Sequence, residues 1–271
     1  MTGFCNIDGV DIYTQYGVII AENGYSDFFT FPALMEPEKN DWAEENGIEV
    51  DLSSPIFQPR EITVPFAVIS GINWKGFYQM LSAPGYRNVN IQALQKNWLL
   101  RVSEMPAFEE FPQGITFEVK FVEDVPAISR TYPIPAGFAP LACALAMDGV
   151  ALDKYGIVIE DGLNDLQKPA TIKKNLTRKN SLTNGQIYDA QFVRFAEKEI
   201  TLKCCLSAPQ IADFWNLYNA FLGDLTKSGE RIFTHEGQTY YGYYRKSGNF
   251  DLVSHSREVV LKFDVTLCIT R

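Results

Sequence analysis

Catalysis needs side chains that converge, and this sequence offers few candidates. Its two histidines, His235 and His255, stand near Glu236, Ser254 and Ser256. Those residue types could supply a base, a carboxylate and a nucleophile. No HExxH motif and no paired Cys/His spacing accompanies them, so the metal chemistry of such motifs is not expected. The cysteines are Cys5, Cys143, Cys204, Cys205 and Cys268. They are odd in number, contain no CxxC, and include an adjacent pair whose side chains would point to opposite faces of a strand. Buried thiols in a reducing compartment are the expectation. Gly71 and Gly76 have the glycine spacing of a phosphate loop, but Phe77 stands where the motif requires lysine. Glu109-Glu110 could serve as a glycosidase-type carboxylate pair, yet acid runs in loops are more often solvated. Asn175-Leu176-Thr177 fits a glycosylation sequon without a secretion signal before it. The expectation is a protein that is not an enzyme and needs no cofactor or metal.

Two other groups stand out by type and spacing. Between residues 36 and 51 the acids Glu36, Glu38, Asp41, Glu44, Glu45, Glu49 and Asp51 face the single base Lys39, a net charge of -6. Between residues 168 and 188 the bases Lys168, Lys173, Lys174, Arg178 and Lys179 meet no acid, a net charge of +5. Opposite charge of this kind can set the register of an assembly and reject wrong pairing. The acidic stretch of one chain is therefore expected to face the basic stretch of its neighbour. The second group is Tyr240, Tyr241, Tyr243 and Tyr244, flanked by Phe233, Phe250 and Arg245. Exposed aromatics on a sheet can stack on sugar rings or bases, so a carbohydrate-binding accessory module is the alternative reading.

The elements that would position these residues appear twice. Asp8-Gly9-Val10 and Tyr16-Gly17-Val18-Ile19-Ile20 are answered by Asp148-Gly149-Val150 and Tyr155-Gly156-Ile157-Val158-Ile159, at offsets of 140 and 139. Glu61-Ile62-Thr63-Val64 is answered by Glu199-Ile200-Thr201-Leu202 at 138. The stripe Trp74, Phe77, Tyr78, Leu81 is answered by Ile211, Phe214, Trp215, Tyr218 at 137. Leu81-Ser82-Ala83-Pro84 and Leu206-Ser207-Ala208-Pro209 are identical but out of register, and are set aside as coincidence.

Each copy predicts the same order of elements. A short strand (16–21 or 155–160) leads to a long polar excursion. A strand follows in which Ile62, Val64, Phe66 and Val68, or Ile200, Leu202, Cys204 and Leu206, alternate. Then comes one helix with an aromatic i, i+3, i+4, i+7 stripe, with Ser207 as cap and Gly223 as stop in the second copy. Antiparallel strands close each copy, near 97–104 and 115–123, then near 230–235, 238–246 and 257–269. The Pro-rich stretch 132–140 reads as a stiff linker. The fold class is thus α+β, mainly β: two tandem small antiparallel sandwiches or barrels with one packed helix each, over residues 1–137 and 138–271.

This element order resembles the tube domain of tailed-phage tails, in particular distal tail and baseplate-hub proteins and their counterparts in contractile injection systems. The resemblance implies a structural protein that closes into a ring around a channel at the junction of tube and baseplate. Distal tail proteins do so as hexamers of one tube domain, and some hubs as trimers of two. A tandem copy implies the trimer with a pseudo-sixfold ring, a hexamer being the other possibility, with further tail or baseplate proteins as partners.

Composition agrees with a folded chain that does not seek nucleic acid. Of 271 residues 46% are hydrophobic and 21% charged, and the net charge is -9, whereas phosphate neutralisation needs an excess of bases. That charge is unevenly placed: residues 1–137 carry 8 bases and 18 acids, residues 138–271 carry 16 and 15. No window has the length of an apolar membrane span, and the first residues show neither a basic start nor an apolar run. Assembly in the bacterial cytoplasm followed by residence in the virion tail is the expected location.

Overall fold

The computed structural model describes residues 4–69, 73–105, 109–111, 114–126, 139, 141–174, 177–179, 181–182, 184–188, 193–255 and 258–271. The linker at 132–140 lies outside them except for residue 139, as do Gly71, Asn175 and Leu176.

In the first half the turn comes first. Asp8 (φ 52°) and Gly9 (φ 81°) both sit in the left-handed region, as a two-residue hairpin between twisted strands requires. They join β1 (Cys5–Ile7) to β2 (Val10–Asp11). A single helical turn, α1 (Ile12–Tyr16), precedes β3 (Val18–Ile20), so the helix takes Tyr16 from the expected strand. The excursion holds a 3-10 turn at Ser26–Phe29 and the short pair β4 (Lys39–Asn40) and β5 (Glu49–Val50). Then come β6 (Arg60–Val68), α2 (Trp74–Ser82), β7 (Tyr86–Ile91), β8 (Lys96–Glu104), β9 (Glu109–Phe111) and β10 (Gly114–Glu123). All pairing is antiparallel, in the order β2-β1-β7-β8-β10-β6-β3, with β9 added to β10. Alternation along β6 and β10 turns Val64, Phe66, Phe117, Val119 and Phe121 inward, against Phe77 of α2.

The second half runs β11 (Leu145–Met147), β12 (Val150–Ala151), a 3-10 turn at Leu152–Tyr155, β13 (Ile157–Asp161), α3 (Leu163–Gln167), β14 (Thr177–Arg178) and β15 (Ile187–Tyr188). It continues with β16 (Lys198–Ala208), α4 (Ile211–Leu225), β17 (Arg231–His235), β18 (Gln238–Ser254) and β19 (Val259–Ile269). The order β12-β11-β17-β18-β19-β16-β13 matches the first sheet strand for strand, and β14 pairs with β15 apart from it. Finer details match too. The β8–β10 register slips between Phe121 (opposite Val102) and Lys120 (opposite Glu104), and β18–β19 slips between Leu267 (opposite Tyr244) and Thr266 (opposite Lys246). Isolated bridges join Leu34 to Phe57 and Ile172 to Phe195, 138 residues apart. Arg60 donates to the Phe28 and Thr30 carbonyls, as Lys198 does to those of Leu166 and Lys168.

The helices match in a different register from the one the sequence stripe suggests. Arg87 on β7 donates to the Met80 carbonyl, and Arg231 on β17 reaches that of Asp224. Phe77 packs on Tyr16 as Phe221 packs on Tyr155. The offset is 144, not 137. A shift of seven residues is two turns of helix and leaves an amphipathic stripe on the same face, so the pattern could not distinguish the two registers. α4 therefore carries about two extra turns at its start. Ser207 is the penultimate residue of β16 rather than a cap, and Gly223 lies inside the helix rather than ending it.

Candidate assembly site

The residues that join the halves come from the start of the first excursion. The 3-10 turn fixes Phe28 and Phe29 inward, and Arg60 holds the Phe28 and Thr30 carbonyls at 3.2 and 2.7 Å. Phe28 stays in its own half, against Trp98. Phe29 crosses over to stack on Trp215 at 5.4 Å and meets Phe214 edge-on. Phe31 goes furthest: it is buried among Tyr218, Phe221, Tyr244, Phe250 and Phe263, at centroid distances of 4.8 to 6.4 Å. Every one of those rings belongs to the second half.

Backbone groups carried into this apolar joint find partners, as burial demands. The Tyr218 hydroxyl donates to the Phe29 carbonyl at 2.8 Å and the Tyr244 hydroxyl to the Pro32 carbonyl at 3.0 Å. Burial raises the pKa of both phenols above its ordinary value. Ser247 accepts from the Phe31 amide and donates to its carbonyl. The Leu34 amide donates to the Arg245 carbonyl at 2.9 Å, which continues β18 at its bulge. From the other side, Trp215 donates its indole N–H to the Leu94 carbonyl at 2.7 Å. Lys96 lies over the Trp215 ring at 3.9 Å, and its burial, with Arg60 nearby, pushes its pKa down to about 8. The joint makes the buried residues of both halves one continuous core.

The charged excursions meet within one chain. Lys173 is buried at its side chain, ion-paired with Asp41, and donates to the Trp42 and Gly47 carbonyls at 2.9 and 2.6 Å. Arg194 donates to the Glu44 carbonyl, Gly47 and Phe195 are joined through their backbones, and Lys39 lies 3.9 Å from Glu197 and 2.9 Å from Glu36. For Asp41 and Lys173 the expected contact with a neighbouring chain is thus replaced by an internal one, because the Phe29–Phe31 docking draws the two stretches together. Glu38 and Glu45 are exposed, Glu49 accepts from the Trp42 indole, and Asp51 accepts from the Ser53 amide. Lys168, Lys174 and Lys179 are exposed, and the backbone of Arg178 lies in β14.

The tyrosine run does not form a stacking platform. Tyr243 and Tyr244 are buried on opposite faces of β18, Tyr244 beneath Phe31 and Tyr243 opposite Cys268 in the pairing with β19. Tyr240 and Tyr241 are half-buried, under Lys198 and Arg271 respectively. His235 lies inside with Nδ1 3.1 Å from the Ala144 carbonyl, whereas His255 is at the surface beside Tyr25. Among the described residues no three His, Cys, Asp or Glu side chains are grouped as metal ligands, no helix is long and apolar enough to cross a membrane, and the five cysteines are free thiols.

Sequence reasoning missed the segment Phe28-Phe29-Thr30-Phe31. Its signal was an asymmetry: the counterpart positions, Leu166, Gln167, Lys168 and Pro169, hold no aromatic ring.

The counterpart of the joint in the second half lies open. Leu34 is 7% exposed, whereas its equivalent Ile172 is 57% exposed, and Phe195 is 39% exposed. Beside them runs a groove of about 660 Å³ lined by Leu166, Lys168, Phe195, Lys198, Tyr240 and Ile269, among others. The equivalents of Leu166, Lys198 and Tyr240 in the first half are Phe28, Arg60 and Trp98, which lie against the face closed by α4.

The sequence matches no protein-family model and no curated protein. Among solved structures it is similar to the SPP1 Dit (gp 19.1) protein, described as a paradigm of the hub adsorption apparatus in phages that infect Gram-positive bacteria. Identity is 16%, the TM-score is 0.32, and the match spans 46% of this chain and 49% of that one.

Proposed function

We propose that this chain is a structural, non-enzymatic protein of a phage or prophage tail, of the distal-tail or baseplate-hub type, which assembles with copies of itself into a ring where tube meets baseplate. In this reading residues 1–137 and 138–271 are copies of one ancestral domain, and three chains supply six quasi-equivalent positions, with a hexamer as the other closed form. The observation that carries it is the internal joint. One half already docks on its equivalent by inserting a loop, and the second half holds the corresponding bridge, Ile172 to Phe195, with its apolar side chains exposed. A subunit with one joint made and one open is suited to head-to-tail addition, which closes into a ring or runs on as a filament. The tail assignment itself comes from the resemblance in element order.

The test is native mass across a wide concentration range. Self-association into a closed trimer or hexamer is the expected outcome, and a chain that stays monomeric at hundreds of micromolar would remove the basis for a ring. A glycan-binding role finds no support in the tyrosine run, half of which is buried.

A further inference from the structure

One group of donors at the joint has no acceptor. Lys96 opens β8, and its Nζ lies 3.9 Å from the centroid of the Trp215 ring, 5.5 Å from that of Trp98 and 5.7 Å from that of Tyr218. Ring faces attract a cation but offer its N–H groups no oxygen. Among the described residues no carbonyl or carboxylate accepts from this ammonium. Two buried donors nearby are in the same condition: the indole Nε1 of Trp98 and Nε of Arg60 find no acceptor among the described residues. The other Arg60 nitrogens are taken, Nη1 by the Phe28 and Thr30 carbonyls and Nη2 by Glu123 at 2.6 Å. Phe28 ties the group together, since its ring packs on the Trp98 indole and its carbonyl holds the guanidinium. The second half meets the same positions differently. There Lys96 and Arg60 are replaced by Gln238, the first residue of β18, and Lys198. Gln238 carries no charge, and Lys198 donates to the carbonyls of Asp165, Leu166 and Lys168. The first half instead gathers two cations and an indole N–H around one carboxylate that is already engaged, and buried donors without acceptors are costly.

We propose that Lys96, the indole N–H of Trp98 and Arg60 bind a small monovalent anion of the chloride type at the edge of the joint between the halves. The 5.5 Å from Nζ to the Trp98 centroid is a span that one ion in contact with both groups bridges. Lys96 is half-buried and not sealed, so the ion enters from solvent. Glu123 beside Arg60 opposes a second negative charge, which favours a monovalent ion over phosphate or sulfate. The ion touches Trp98 of the first half and the lysine that lies on Trp215 of the second. It therefore binds only when the halves are joined, and stabilises the joint by mass action.

The test is thermal unfolding in sodium chloride and in sodium gluconate at equal ionic strength, where screening is the same and the anions differ in size. The wild type should have the higher Tm in chloride, by an amount that grows with chloride concentration. Lys96→Met keeps the stem on the rings, and Trp98→Phe keeps an aromatic ring without the N–H. Each should weaken chloride binding roughly ten- to hundredfold. In the wild type the difference between the salts should fade as the pH rises from 7 to 10.5. Over that range Lys96, whose pKa is pushed down to about 8, gives up the proton that holds the ion. The other groups facing the amine are Arg60, paired with Glu123, and Tyr218, whose phenol is pushed up by burial. Bromide, which quenches indole fluorescence on contact, gives a second reading. The wild type should show a saturable part that chloride competes away, above the linear quenching of exposed Trp42. Lys96→Met with wild-type near-ultraviolet circular dichroism should keep the linear part alone. Equal Tm in the two salts, a chloride effect undiminished in Lys96→Met or at pH 10.5, or bromide quenching with no saturable part would overturn the site.

Discussion

Phe31→Ala tests whether the halves share one core. The ring is 4% exposed and sits among five second-half rings, with Tyr218 nearest at 4.8 Å. Truncating a buried phenylalanine costs about 3 to 5 kcal/mol, from lost transfer energy and the cavity left behind. The upper part of that range is expected here, because Tyr218 and Tyr244 are held by carbonyls of the same segment and cannot collapse inward without giving up those bonds. Hydrogen exchange followed by mass spectrometry is the assay. Protection in β19 and α4, more than a hundred residues along the chain, should fall by about three to three and a half powers of ten, since each 1.4 kcal/mol is a factor of ten. If exchange instead quickened only near residues 26–34 while β19 and α4 kept their protection, the loop would be an ornament on an independent domain, and the reasoning from the joint would fail.

Three further outcomes follow from the same geometry. Gly47 has φ +72°, and a Cβ there would collide with the Thr270 carbonyl. Gly47→Ala should lift the acidic excursion from the C-terminal strand and speed limited proteolysis at Glu44, Glu45 and Glu49, leaving the unfolding midpoint of the remaining core close to wild type. Arg231→Ala removes the donor that satisfies the Ser228 and Gly229 carbonyls and pairs with Asp148 at 2.6 Å. A loss of about 3 kcal/mol is expected, and calorimetry should register a Tm lower by roughly 6 to 12 °C. Lys96 is a buried base with its pKa pushed down to about 8 from 10.5. The folded state therefore disfavours its charged form, a penalty that is full below pH 8 and gone above 10.5. Lys96→Met should gain relative to wild type at pH 7, and that gap in urea unfolding should shrink by up to about 3 kcal/mol towards pH 10.5. A gap that stayed constant with pH would show that Lys96 is solvated.

What could be read from the sequence was whatever repeats over a few residues. Asp8-Gly9 and Asp148-Gly149 marked hairpins because few dipeptides tolerate two positive φ angles. Ile62, Val64 and Phe66 marked a half-buried strand because side chains alternate every two residues. Periodicity also set its own limit. The helix stripe is unchanged by a shift of seven, so spacing alone pairs Trp74 with Ile211, whereas its structural equivalent is Tyr218. Charge told that the stretches around Asp41 and Lys173 attract, and not whether they meet within a chain or between chains. The tyrosine pattern told that Tyr243 and Tyr244 face opposite ways, and not that both faces are covered.

By itself, then, the sequence determined the long alternating strands, the two main helices and their order, and which side of each turns inward, since those depend on backbone geometry and spacing along the chain. β7 (Tyr86–Ile91), whose inward residues Val89 and Ile91 are set among polar ones, and the extension of β18 to Ser254 appear only in the structure. Only the tertiary structure decided that Phe31 leaves its own half to fill the other, that Lys173 is occupied by Asp41, and that Ile172 stays exposed where Leu34 is covered. Those choices rest on which distant surfaces fit in shape and bury the most apolar area. That fit has no period along the chain and exists only once the strands have been brought side by side.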